Sequence, residues 1–135
     1  MAVAVGLVLG ALALLHVYWG VGGMSGLSVA VPEVDGRPVF TPSRLSCFAV
    51  AAALLLAAFL VLSRGGAVAS PLPPAWTEVG AAGVGAVFVL RAIGDFHLVG
   101  FFKRVRGTAF ARWDTRLFSP LSLAIGVASL WVALA

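Results

Sequence analysis

Apolar residues run along this chain in four long blocks, separated by three polar segments rich in glycine and proline. Residues 2–15, AVAVGLVLGALALL, continue through His16 to Trp19. Residues 45–62, LSCFAVAAALLLAAFLVL, are interrupted only by a serine. Residues 79–90, VGAAGVGAVFVL, are too short alone and reach spanning length by running on through Arg91, Asp95 and His97 to Phe102. Residues 117–135 form the last block. A helix needs about 20 such residues to cross the hydrocarbon core. No alternation of period two is present, and alanine and leucine dominate, which argues against strands. The pattern predicts an all-α fold: an integral membrane four-helix bundle, one domain over residues 1–135, with spans near 2–19, 45–63, 76–102 and 117–135.

Composition agrees. Hydrophobic residues make up 61% of the chain and charged residues 10%, with a mean hydropathy of +1.09, whereas soluble domains hold roughly 45–50% apolar residues. A fold of this size cannot cover that much apolar surface by itself, so lipid must. The first block lacks the basic leader and small-x-small site of a cleaved signal, and is expected to stay as a span. Cys47, the only cysteine, allows no internal disulfide and no CxxC motif; it reads as a small apolar helix residue.

Charge gives the expected orientation. The connections between the first and second blocks and between the third and fourth share one side of the membrane. That side carries Arg37, Arg44, Lys103, Arg104, Arg106, Arg112 and Arg116, whereas the opposite side carries Arg64 alone. Basic residues accumulate in cytoplasmic loops, so both termini are expected outside the cytoplasm of a bacterial inner membrane. The same rule explains the basic composition without a nucleic-acid partner. The run from Lys103 to Arg106 reads as an orientation and lipid-headgroup signal, and Trp19, Trp76 and Trp113 as interfacial aromatic belts. Small residues at close-packing intervals, Gly6 with Gly10 and Ala81 with Gly85, suit tight helix contacts in lipid.

The stretch RAIGDFHLVGFFKRVRG, residues 91–107, is where charge enters a span. Arg91 and Asp95 lie about 40° apart on one helix face and can pair, while His97 points away and reads as interfacial. With a span ending near Phe102, Arg91 sits about 15 Å from that end. Intramembrane charge is costly and must face protein or a water-filled cleft. The Arg91–Asp95 pair is then either a structural lock or part of a functional site. His16, at the end of the first span, is either hydrogen-bonded to its loop or a ligand-facing group. PEVDGRPVFTP places Glu33, Asp35 and Arg37 between prolines, as in an ordered loop. The candidate site residues are His16, Trp19, Glu33, Arg91, Asp95, Lys103, Thr108 and Asp114, all at the cytoplasmic ends of the spans. Phosphate-loop, zinc-protease and nucleophile-elbow motifs are absent, and ligand-spaced His, Cys and carboxylates are too few for a metal site. No cofactor is expected.

HVYWGVGG, PEVDGRPVFTP and RAIGDFHLVGFFKRVRGTAFARWDTRLFSPLSLAIG together make the chain resemble a bacterial family of small four-span membrane proteins, the domain of unknown function 3995. The matching positions are His16, Trp19, Gly22, Gly23, Pro32, Gly36, Pro38, Arg91, Gly94, Asp95, Phe102, Lys103, Thr108, Asp114 and Pro120. The resemblance implies the fold and no activity.

Three functions fit these residues. The first is binding or moving a small or amphipathic ligand through the polar cluster, with Arg91 and Lys103 meeting any negative group. The second is an enzyme on a lipid or isoprenoid substrate, with His16 and Asp95 or Asp114 moving protons. The third is an accessory subunit locked by Arg91 and Asp95. A pore has no support unless copies assemble as a homo-oligomer. The expected partners are thus the lipid bilayer and a small-molecule or lipid ligand, with no nucleic acid.

Overall fold

In a computed structural model all 135 residues are described. The apolar blocks become four helices long and apolar enough to cross a membrane. The first, α1 (Ala2–Gly20), ends where glycines interrupt the apolar run. A single turn, α2 (Leu27–Ala30), follows. Then β1 (Glu33–Val34) pairs antiparallel with β2 (Arg37–Pro38). Asp35 (φ 51°) and Gly36 (φ 75°) occupy the tip of this hairpin. Two left-handed residues in succession are what a tight primed turn requires, and an Asp-Gly pair supplies them.

The second long helix, α3 (Arg44–Arg64), starts at Ser43, whose hydroxyl accepts the Ser46 N–H. The third, α4 (Pro74–Ile93), carries proline in its first turn, where the missing N–H costs nothing. Its limits differ from those expected. The helix gains its length at the Pro74 end and stops at Ile93, well before Phe102. Gly94 takes a left-handed φ of 88° there, and a Cβ at this position would collide with the Val99 carbonyl. Gly100, at φ 91°, likewise leaves no room for a Cβ beside the Ile93 carbonyl. The chain therefore folds back on the helix end instead of continuing it, and Phe101 N–H donates to Ala92 O at 2.8 Å.

The final rod starts earlier than its apolar run. α5 (Ala109–Trp113) passes through a π-helical turn, Asp114–Phe118, into α6 (Ser119–Leu134). Such a turn accommodates one extra residue and often marks a functional position in a helix.

Packing divides the molecule into two antiparallel hairpins. α1 lies along α3, with Gly6 against Leu62 and Gly20 against Phe48. α4 lies along α6, where Gly85 and Gly126 bring the two backbones together: a Cβ on Gly126 would sit 2.8 Å from the Val89 amide nitrogen and 3.0 Å from the Gly85 carbonyl. Small residues allow this approach in a setting where lipid competes equally well for larger apolar groups. Gly10, by contrast, faces open space and makes no such contact.

The hairpins meet at the end that carries both termini. Ala2, Val5 and Leu9 of α1, Ala57, Ala58 and Val61 of α3, Ala81 of α4, and Ile125, Val132 and Ala133 of α6 form one core there. Arg64 closes this end by donating twice to the Ala133 carbonyl, at 2.9 and 3.1 Å. Toward the opposite end the two hairpins separate.

Candidate functional site

The gap left by this separation is a cleft of about 680 Å³ bordered by 18 residues, 14 of them hydrophobic. Leu12, Leu15, His16 and Trp19 supply the α1 wall, Val50 and Leu54 the α3 wall, and Val87, Phe88 and Arg91 the α4 wall. Trp113, Leu117, Phe118, Leu121, Ser122 and Ile125 complete it from the last rod, and Gly26, Val29 and Ala30 lie across one end. The volume falls within the roughly 300–1,000 Å³ of small-molecule pockets.

His16 and Arg91 supply the ionisable groups of this lining. His16 Nδ1 lies 2.8 Å from the Leu12 carbonyl. A carbonyl only accepts, so Nδ1 carries the proton and Nε2 is free of any bond within the protein. Trp19 packs edge-on against His16, with ring centroids 5.0 Å apart, and its indole N–H donates to Ser25 O at 2.9 Å. That bond secures the glycine-rich segment that follows α1.

Arg91 does not pair with Asp95. Its Nη2 donates to Asp114 Oδ1 at 2.7 Å, and it lies two residues from the end of its helix, not deep in a longer span. Asp114 is wholly buried. Its Oδ2 accepts from the Gly100 N–H at 2.8 Å, from Lys103 Nζ at 3.1 Å and from Ser119 Oγ at 3.1 Å. Four donors saturate the carboxylate. The folded-back chain makes this possible, because only its tight Gly94–Gly100 crossing turns the Gly100 N–H and the Lys103 side chain inward.

Lys103 is not a headgroup contact. Its side chain is fully enclosed, and Nζ donates to Gly100 O at 2.9 Å, to Asp114 and to Thr115 Oγ1 at 2.6 Å, using all three of its hydrogens. Arg91 Nη1 is different: it is buried and has no hydrogen-bond partner.

Asp95 stands apart from the cleft. Its Oδ1 accepts from the N–H groups of His97, Leu98 and Val99, at 2.9, 2.8 and 3.0 Å. The Val99 and His97 amides hold its carboxyl below the usual carboxylate range. Its role is to order the turn after α4. Glu33 and Thr108 act together elsewhere: Thr108 Oγ1 accepts the Ala111 N–H at 3.0 Å, and Glu33 Oε1 accepts the Ala109 N–H at 3.1 Å. A side chain from the first connection thus caps a helix in the third, satisfying amides that the helix start leaves open.

Of the eight candidates, then, His16, Trp19 and Arg91 border the cleft. Lys103 and Asp114 lie behind Arg91, Glu33 and Thr108 fasten the loops, and Asp95 shapes a turn. His16 pairs with neither Asp95 nor Asp114, so the acid–base couple is not assembled. The phenylalanine, leucine and valine walls escaped sequence reasoning because hydropathy does not separate apolar groups facing a gap from those facing lipid.

A family model described as "Protein of unknown function (DUF3995)" matches residues 9–129. No curated protein and no solved structure matches the chain.

Proposed function

Since the chain belongs to the DUF3995 family of membrane proteins of unknown function, we propose its role from the cleft: it binds an amphipathic small molecule, taking the apolar part between the two hairpins and the polar part beside Arg91 and His16. One observation carries this reading. The hairpins pack closely at the end with the termini and leave an apolar gap of about 680 Å³ at the other. That gap ends on a guanidinium whose second terminal nitrogen, Nη1, has no acceptor. An apolar pocket with a few convergent polar groups is the usual form of a ligand site.

The enzyme reading has less support, since Asp95 is engaged by its own turn and Asp114 by four donors. The polar end is proposed to face the cytoplasm of the cell membrane, on the distribution of basic residues.

Bromine on the tail of a single-chain amphiphile tests the cleft. Contact quenches tryptophan, and Trp19 and Trp113 border the gap while Trp76 and Trp131 lie toward the other end of their helices. In a non-quenching detergent, saturable quenching is expected for the native chain and lost in an Ala30→Phe, Val50→Phe double variant that fills the gap. Quenching that rises linearly with probe and is identical in both proteins would overturn the reading.

A further inference from the structure

We infer that the molecule held in the cleft is a single-chain amphiphile with one negative charge on its polar end, and that Arg91 is the group that receives that charge. This rests on the cleft being a binding site.

The argument is one of charge and unmet hydrogen bonds. Arg91, Lys103 and Asp114 form one hydrogen-bonded group, two cations on one carboxylate, and neither cation meets a second carboxylate. The group therefore carries one uncompensated positive charge. Asp114 cannot neutralise more, because a carboxylate carries a single negative charge, which Arg91 and Lys103 share. Lys103 is enclosed and has used its three hydrogens. The surplus is therefore offered at Arg91, whose side chain is one-third exposed (33%) and borders the cleft.

A second observation points the same way. Arg91 Nη1 is buried without an acceptor, although a buried charged donor left unpaired is among the more costly defects in a fold. An anionic oxygen placed in the cleft against the exposed part of Arg91 would supply the missing charge, and a small turn of the guanidinium would bring Nη1 onto the same oxygen. Carboxylates and phosphates suit a guanidinium in this way because they accept through two oxygens. The chain number follows from size: a gap of about 680 Å³ suits one acyl or prenyl chain and is small for two.

Competition against the brominated probe tests the assignment on the full-length protein in nonionic detergent. Hexadecanoate, hexadecanol, hexadecyltrimethylammonium and two-chain phosphatidylglycerol are compared. Hexadecanoate is expected to compete on the order of tenfold or more better than hexadecanol, with the ammonium compound weakest and the phospholipid below hexadecanoate. Arg91→Lys should keep part of the preference, and Arg91→Gln should bring hexadecanoate down to the level of hexadecanol. If Arg91→Gln does not fold, the series on the native chain decides alone. Equal competition by acid and alcohol, or preference for the ammonium, overturns the charge assignment while leaving the cleft as a site. Preference for phosphatidylglycerol overturns the single-chain assignment. Competition by none of the four, with no saturable probe binding, overturns the site itself.

Discussion

Arg91 bonds across the second hairpin to Asp114, 23 positions further along the chain, with 2.7 Å between Nη2 and Oδ1. The nearest carboxylate in sequence, Asp95, is occupied by backbone amides instead. This choice joins α4, the folded-back segment and the last rod at one buried carboxylate.

Removing that carboxylate should therefore cost far more than removing an exposed ion pair. Asp114→Asn leaves Arg91 and the enclosed Lys103 without their counter-charge, and a loss of about 3–5 kcal/mol is expected. Thermal unfolding of the detergent-solubilised protein measures it. A matching loss in Asp95→Asn would contradict the assignment of Asp114 as the shared partner.

The glycines should separate into two groups. Gly126→Ala places a Cβ 2.8 Å from the Val89 amide nitrogen and forces α4 and α6 apart. Gly10→Ala and Gly83→Ala meet nothing within 4 Å and remove a helix penalty of up to about 1 kcal/mol. Unfolding temperatures are expected to fall for the first and to hold or rise for the other two.

Asp95 should make the turn after α4 sensitive to acid. Its carboxyl is held low by the amides it accepts from, those of Val99 and His97 foremost. The contribution to stability is thus complete above the unfolded-state value, and is lost as pH falls through the lower folded-state value. Amide exchange at residues 97–99 is expected to be about tenfold faster in Asp95→Ala than in the native chain at neutral pH. The difference should close as the pH drops below the usual carboxylate range.

Sidedness has its own test. On a Cys47→Ser background, a cysteine at Ala69 is expected to react with a membrane-impermeant maleimide in intact cells, and one at Gly107 only after lysis. The reverse pattern would place the polar end outside.

The helices were legible because the thickness of a bilayer fixes the length of an apolar run, whatever its partners. The early stop of α4 was also signalled: Gly94 followed by Asp95 is a helix terminator with a turn-capping side chain behind it, though the apolar Phe-His-Leu-Val that follows resembles more span. The true partner of Arg91 was not signalled, since helical spacing offers Asp95 first and only tertiary folding brings up Asp114. Glu33 on the Ala109 amide is likewise a contact over 76 positions, with no local trace. The candidate residues were grouped because they were expected at one end of the spans, and that criterion does not distinguish a group bordering a gap from one that ties loops together.

The separation between Arg91 and its carboxylate also bears on how the chain is made. When α4 leaves the ribosome it carries a guanidinium with no counter-ion, and Asp114 is translated only later. The first hairpin keeps its arginines, Arg44 and Arg64, at the two ends of α3, whereas the third helix gains a partner for Arg91 only when the fourth is made. Biogenesis should thus proceed in two instalments, with the second pair delivered to the lipid together.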